Sequence, residues 1–206
     1  MQETTPRFEF RIFGDGLQFI EQRMRHLAPC EAIDESREIY ILGAAGTDHN
    51  LKIRHGRLES KTLVERDGDL ERWRPSGRWA FPVPGEVLQG LSLEPPDIDD
   101  RDAGPAIELD GLLARIRPHH GLFRANMHKR RFRFTIAGCA AERDEVWVNG
   151  AATQSLALEA PEAGAVTALR ARLGLGDAEN VSYPLALSRI LGLCPLPEEN
   201  TYEQRD

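Results

Sequence analysis

Apolar and charged positions alternate along much of this chain. In RFEFRIF, residues 7–13, Phe8, Phe10 and Ile12 alternate with Arg7, Glu9 and Arg11. That period of two marks a strand with one apolar and one charged face. MHKRRFRFTI, residues 127–136, repeats the split, with Phe132, Phe134 and Ile136 opposed to Lys129, Arg131 and Arg133. Residues 37–42, 50–55 and 57–64 read as successive strands, the last two joined by a turn at His55 and Gly56. Lys52 and Arg54 share one face there, and Arg57, Glu59 and Lys61 share the next. Residues 70–74 read as a short or edge strand with Arg72 and Arg74 opposite Trp73, because Pro75, Pro82 and Pro84 limit pairing. Residues 143–149 and 153–159 form a hairpin about Gly150, with Arg143, Glu145 and Glu159 counted on the charged faces.

Helical spacing appears in four places. Leu17, Ile20, Met24 and Leu27 predict a helix over 15–27, ended by Pro29. A short helix is expected over 107–116. Val166, Leu169 and Leu173 give a stripe over 161–173, stopped by Gly174, and 183–191 is a final apolar helix. Residues 91–105 lack periodicity and read as a solvated acidic loop. Asp97, Asp99, Asp100 and Asp102 do not match a calcium-loop pattern. His119 and His120, a pair without further ligands, are weak support for a metal site.

Charge changes this picture. The chain has 206 residues, with 26 basic against 33 acidic side chains and a net charge of −7, which argues against a protein that grips a nucleic-acid backbone. Yet the strand faces are cationic: Arg7, Arg11, Lys52, Arg54, Arg57, Lys61, Arg72, Arg74, Lys129, Arg131, Arg133 and Arg143 stand against Glu9, Glu59, Glu65, Glu145 and Glu159. Closed into a barrel with these faces inward, the strands would make a lumen that repels itself unless water or a polyanion filled it. In an open sheet the same arginines would be wet, and the pattern alone does not choose. Cys30, Cys139 and Cys194 have no paired spacing, so buried thiols are expected rather than disulfides or a zinc site. No apolar run reaches bilayer length and MQETTPRFEF lacks a signal peptide's features. A cytoplasmic protein with no membrane partner is expected.

The order of these segments resembles the CYTH superfamily of triphosphate tunnel metalloenzymes, which includes thiamine triphosphatases, inorganic triphosphatases and class IV adenylate cyclases. RFEFR stands at the family's Glu-x-Glu-x-Lys, LKIR at its Leu-Arg-Ile-Arg, ESKTL at its lysine strand and HKRRFRF at its Lys-x-Arg strand. EVWVNG and LALEAPEAGAVTALRARLGL are similar to its late strands, and NVSYPLAL to its Ser-Tyr segment. The resemblance implies an α+β fold, an antiparallel eight-stranded β-barrel with helices outside, over residues 1–194 and followed by an acidic tail over 195–206. It implies phosphate contacts from Arg11, Lys52, Arg54, Lys61, Arg72, Lys129 and Arg131. It implies catalytic carboxylates at Glu9 and Glu159, and Mg2+ or Mn2+ held by Glu9, Glu145 and Glu159. The ligand would be a triphosphate-containing small molecule or inorganic polyphosphate, not nucleic acid, and a homodimer is compatible with it. The chain departs from the pattern at Arg7 and Ala157, where glutamates are expected, and at Asn149, where an aspartate is expected. Triphosphate hydrolysis, a non-catalytic binding or sensing module, and cyclase-like chemistry on the same fold are therefore all in play. An interaction domain whose arginine face meets an acidic partner is a further reading.

Overall fold

A computed structural model describes residues 5–43, 47–91, 106–117 and 121–195. The expected aspartate loop beyond Leu91, the His119–His120 pair and the tail beyond 195 lie outside the described residues. Eight strands form, β1 (Arg7–Gly14), β2 (Ala32–Gly43), β3 (His49–Arg54), β4 (Arg57–Asp67), β5 (Leu70–Ala80), β6 (Leu122–Ile136), β7 (Cys139–Val148) and β8 (Ala151–Ala160). The helices are α1 (Gln18–Leu27), α2 (Gly85–Gly90), α3 (Leu109–Arg115), α4 (Ala163–Leu173) and α5 (Tyr183–Ile190). The strands close into an antiparallel barrel in the order β1-β5-β4-β3-β2-β6-β7-β8, with β8 returning to β1.

Closure follows from local sequence. At His55–Gly56, Ala137–Gly138 and Asn149–Gly150 both residues have positive φ, the backbone that lets a two-residue hairpin match the twist of its strands. β6 is the longest strand and pairs β2 from Leu122 to Arg133 on one side and β7 from Met127 to Ile136 on the other. β5 corrects the expected short edge strand, for it runs the full length of β4 inside the ring. Pro75 is tolerated because it falls where the register shifts and because β1 covers only Glu71 to Trp73.

The apolar side chains sort into three groups. Phe8, Phe10, Ile12, Phe132, Phe134, Leu156 and Leu158 point outward beneath α1 and α4, where Met24, Val166, Leu169 and Leu173 meet them. Each such side chain, fully buried, contributes about 1.5–3 kcal/mol. Ile41, Leu51, Ile53 and Leu58 pack outward against α2 and α3 through Leu88 and Leu112. The third group lies at one end of the lumen, where Tyr183 and Leu187 of α5 pack on Tyr40, Leu42, Met127, Val146 and Val148. Of the cysteines, Cys139 is buried while Cys30 and Cys194 are only half-buried, and all three are free thiols. Among the described residues no helix is long and apolar enough to cross a membrane.

Candidate functional site

The outward apolar positions of each strand force the alternate positions inward, and these carry the charge. β1 supplies Glu9 and Arg11, β3 supplies Lys52 and Arg54, and β4 supplies Glu59 and Lys61. Lys129 and Arg131 come from β6, Glu142 from β7 and Glu159 from β8. Over a floor of Tyr40 and Tyr183 they line a cavity of 190 Å3, the liquid volume of roughly six water molecules. Toward the mouth it continues past Glu159 into wider spaces beside Arg131, Glu142 and Arg133 on one side and beside Arg7, Lys61 and Trp73 on the other. A larger groove, 720 Å3, lies on the outer wall between Ile39, Ile53, Leu109 and Trp147, but the clustered ionisable groups are in the lumen.

Two hubs of opposite sign organise the lumen. Arg11, buried, donates from Nε to Glu9 Oε1 at 2.8 Å and from Nη2 to Glu142 Oε1 at 2.8 Å. Its Nη1 donates to Ser155 Oγ at 3.1 Å and reaches Asp144 Oδ2 at 3.5 Å, and its plane lies 4.4 Å from the Tyr183 ring centre. Tyr183 and Ser155 hydroxyls also donate to Asp144 Oδ2, at 2.9 and 3.1 Å. The opposite hub is Glu38, which accepts from Lys52 Nζ and Ser36 Oγ, both at 2.9 Å, with Arg54 Nη1 3.7 Å away.

Some cations are left with free donors. Lys129 is 2% exposed, yet its nearest carboxylate oxygens, Asp144 Oδ2 and Glu38 Oε1, stand at 3.7 and 3.9 Å, beyond hydrogen-bond reach. Lys61 Nζ is 4.0 Å from Glu159. Arg131 Nε lies 3.1 Å from Glu142 Oε2 without the alignment of a hydrogen bond.

Protonation follows the hubs. Burial raises the Glu9 and Glu142 carboxyls, but Arg11, joined by Lys61 at Glu9 and by Arg131 and Lys129 at Glu142, holds both below the ordinary range. Glu38 is likewise held low, against its burial, by Lys129 and Lys52. Burial lowers Lys52 to about 8 despite Glu38. Burial and the Glu142 charge raise Asp144. Burial and the Glu9 charge push Glu159 up to about 6, with Lys61 opposing.

The structure brings together Glu9, Arg11, Lys52, Arg54, Lys61, Lys129, Arg131 and Glu159 of the residues singled out from sequence. It does not bring in Arg72, which lies outside the barrel over the Phe8 ring and donates to Glu65. Nor does it bring in Glu145, whose carboxylate pairs with Arg143 and Arg130 on the outer face. Arg143 also leaves the lumen, reaching Glu21 of α1 and stacking on Phe132. Glu38, Glu142 and Asp144 were not anticipated. With them, among the described residues, the lumen carboxylates Glu9, Glu38, Glu59, Glu142, Asp144 and Glu159 match the cations Arg11, Lys52, Arg54, Lys61, Lys129 and Arg131, which corrects the expectation of a self-repelling cationic interior. The run Glu142-Arg143-Asp144-Glu145 puts charge on both faces, so alternation there names no inside. Val146 and Val148, being apolar, point to the outside by the usual rule, but α5 within the lumen reverses it.

The departures noted in sequence also find places. Arg7 is exposed at the mouth beside Glu9, Lys61 and Glu159. Ala157 faces the lumen opposite Arg11 and Glu142. Asn149 is in a hairpin turn, where its Oδ1 accepts from the Asn126 backbone N–H at 2.9 Å.

The donor set does not fit the divalent ion that the resemblance implies. Glu9 Oε1 and Glu142 Oε1 are already bonded to Arg11, and Asp144 Oδ2 is taken by hydroxyls. Among the described residues no group of three or more His, Cys, Asp or Glu side chains is arranged to hold a metal.

Comparison with known proteins bears on the fold. No family model and no curated protein sequence matches the chain. Among solved structures, the PH1012 protein from Pyrococcus horikoshii superposes with a TM-score of 0.52 at 15% identity, over 84% of this chain and 93% of its own. A conserved hypothetical protein from Pyrococcus furiosus gives 0.51 at 13%, over 84% and 94%. HpAC1 from Hippeastrum, a candidate adenylyl cyclase with a dominant triphosphatase activity, gives 0.50 at 12%, over 93% and 98%. At these identities the likeness is one of fold.

Proposed function

We propose that the chain binds the phosphate groups of a small polyphosphate, inorganic or organic, inside its barrel, as a CYTH-type protein would. The observation that carries this reading is Lys129: an ammonium buried to 2% exposure beside the cavity with, among the described residues, no carboxylate oxygen within hydrogen-bond distance. A buried charge left short of hydrogen bonds is costly, and phosphate oxygens between Lys129, Lys61 and Arg131 supply them. The cavity suits a chain of phosphate groups reaching toward the mouth, where Arg7 and Arg133 extend the cationic lining.

Thermal unfolding with tripolyphosphate tests the reading. A ligand at a hundredfold excess over its Kd stabilises the fold by about 2.7 kcal/mol, so Tm rises with tripolyphosphate concentration and is unmoved by equivalent sodium chloride. No rise with tripolyphosphate, thiamine triphosphate or ATP rejects it.

A second reading, hydrolysis of the bound triphosphate, is favoured by Glu159. A cavity carboxyl with its pKa pushed up to about 6 exchanges a proton near neutrality, as an acid–base group must. The triphosphatase activity of the fold neighbour HpAC1 is in keeping with it. Phosphate release from tripolyphosphate separates hydrolysis from binding alone, and pyrophosphate release from ATP would instead indicate cyclase-like chemistry.

A further inference from the structure

We infer that Arg11 takes the role of a resident cation on the carboxylate side of the lumen, so that the chain holds its phosphate ligand without a divalent metal ion. This deepens the oxyanion-binding reading and rests on it.

Ionised glutamates gathered in a dry cavity repel one another and need positive charge between them. A guanidinium meets that need with donors in a fixed planar fork. All three nitrogens of Arg11 donate: Nε to Glu9 at 2.8 Å, Nη2 to Glu142 at 2.8 Å, Nη1 to Ser155 at 3.1 Å. One planar group thus joins β1 to β7 and β8, with the Tyr183 ring stacked on its face. A divalent ion bound by Glu9 and Glu142 would displace those bonds and stand against a fixed positive charge, which Coulomb repulsion at this range opposes.

The opposite wall shows the converse. Among the described residues, Lys129 and Lys61 have no carboxylate oxygen closer than 3.7 and 4.0 Å, and Arg131 Nε has no aligned partner. Glu9 and Glu142 each have Arg11 on one oxygen, although Glu59 Oε1 and Asp144 Oδ1 have no hydrogen-bond partner among the described residues, while Lys129, Lys61 and Arg131 Nε await an acceptor. A ligand that completes the cationic wall is therefore an oxyanion, and Arg11 already gives Glu9 and Glu142 the positive charge that a metal ion would bring.

The test is calorimetric titration of the full chain with tripolyphosphate, after chelator treatment, in EDTA and separately in excess Mg2+. The expected result is an affinity that changes by less than about threefold between the two, a difference under 1 kcal/mol. Mn2+ titrated alone into the wild-type chain should show no saturable site. Affinity at least about tenfold weaker in EDTA and restored by Mg2+, or a stoichiometric Mn2+ site in the wild-type chain, overturns the inference while leaving the oxyanion site standing. Absence of binding in both buffers overturns both. The Arg11→Gln variant adds a gain-of-response test, since releasing Glu9 and Glu142 should create Mn2+ binding that the wild type lacks. If that variant does not fold, the wild-type titrations still decide the matter.

Discussion

Glu9 and Arg11 stand two residues apart on β1, both facing the lumen, and are joined by a hydrogen bond of 2.8 Å from Nε to Oε1. The strand thereby carries its own counter-charge into the barrel. The guanidinium then reaches Glu142 and Asp144 across β8, tying the first strand of the chain to the last two of the ring.

Breaking this hub is the costliest single change expected in the lumen. Arg11→Ala leaves Glu9, Glu142 and Asp144 buried without their cation, and loss of one partner from a buried ion network destabilises by about 3–5 kcal/mol. Urea unfolding should show it as a lowered midpoint. Arg11→Lys should recover only part of the loss, because an ammonium lacks the planar fork that serves three neighbours at once.

Lys129→Met should behave differently. It removes a buried ammonium that lies 3.7 Å or more from the nearest carboxylates of the described residues and substitutes an apolar chain of similar length, so the midpoint should fall by less than in Arg11→Ala, because Lys52 still serves Glu38. Tripolyphosphate affinity should fall at least about tenfold, since hydrogen bonds to charged groups contribute about 1.5–3 kcal/mol. Calorimetry and unfolding on the same sample separate the two effects.

Outer-face variants provide the contrast. Arg72→Gln and Glu145→Gln remove groups that the resemblance placed in the site, yet both lie outside the barrel. The Arg72–Glu65 pair is partly exposed and such pairs contribute about 0–1 kcal/mol. Tripolyphosphate affinity should be unchanged in both variants, and a tenfold loss in either would relocate the site.

Acidity should tune binding through Glu159. With its pKa pushed up to about 6, Glu159 is neutral in mild acid and negative at pH 7.5 (about 1.5 units higher), so affinity for an oxyanion falls as pH rises through 6. Above about 8 Lys52 loses its proton and affinity falls again. The folded chain also holds the Glu159 proton more tightly than the unfolded chain, so this residue's contribution to stability declines between the ordinary glutamate value and 6. Glu159→Gln should remove the acidic limb of both profiles while leaving the alkaline limb of binding.

How much of this was legible in sequence depends on what each strand leans against. β1 has an apolar face beneath helices, and β6 has one from Phe132 to Ile136, so their alternation named both the strand and its inward residues: Glu9, Arg11, Lys129 and Arg131. β3 and β4 were readable for the same reason through Leu51, Ile53 and Leu58. β7 was not, because its apolar residues at one end serve the lumen and at the other the outer core. β5 misled differently. Trp73 and Glu71 face the mouth while Arg72 covers Phe8 outside, and an arginine with its stem on an aromatic ring looks, in sequence, like one facing the lumen. Glu38 was hidden in β2, where Arg37 and Glu38 put charge on both faces. The cation-rich wall was thus visible early, with Glu9, Glu59 and Glu159, whereas Glu38, Glu142 and Asp144 were not.

The seat of α5 has one more consequence. With Tyr183 and Leu187 filling the lumen between Tyr40, Met127 and Val146, the described residues close that end, and the spaces beside Glu159 open at the other, among Arg7 and Arg133. A phosphate polymer that enters there meets α5 with its leading terminus.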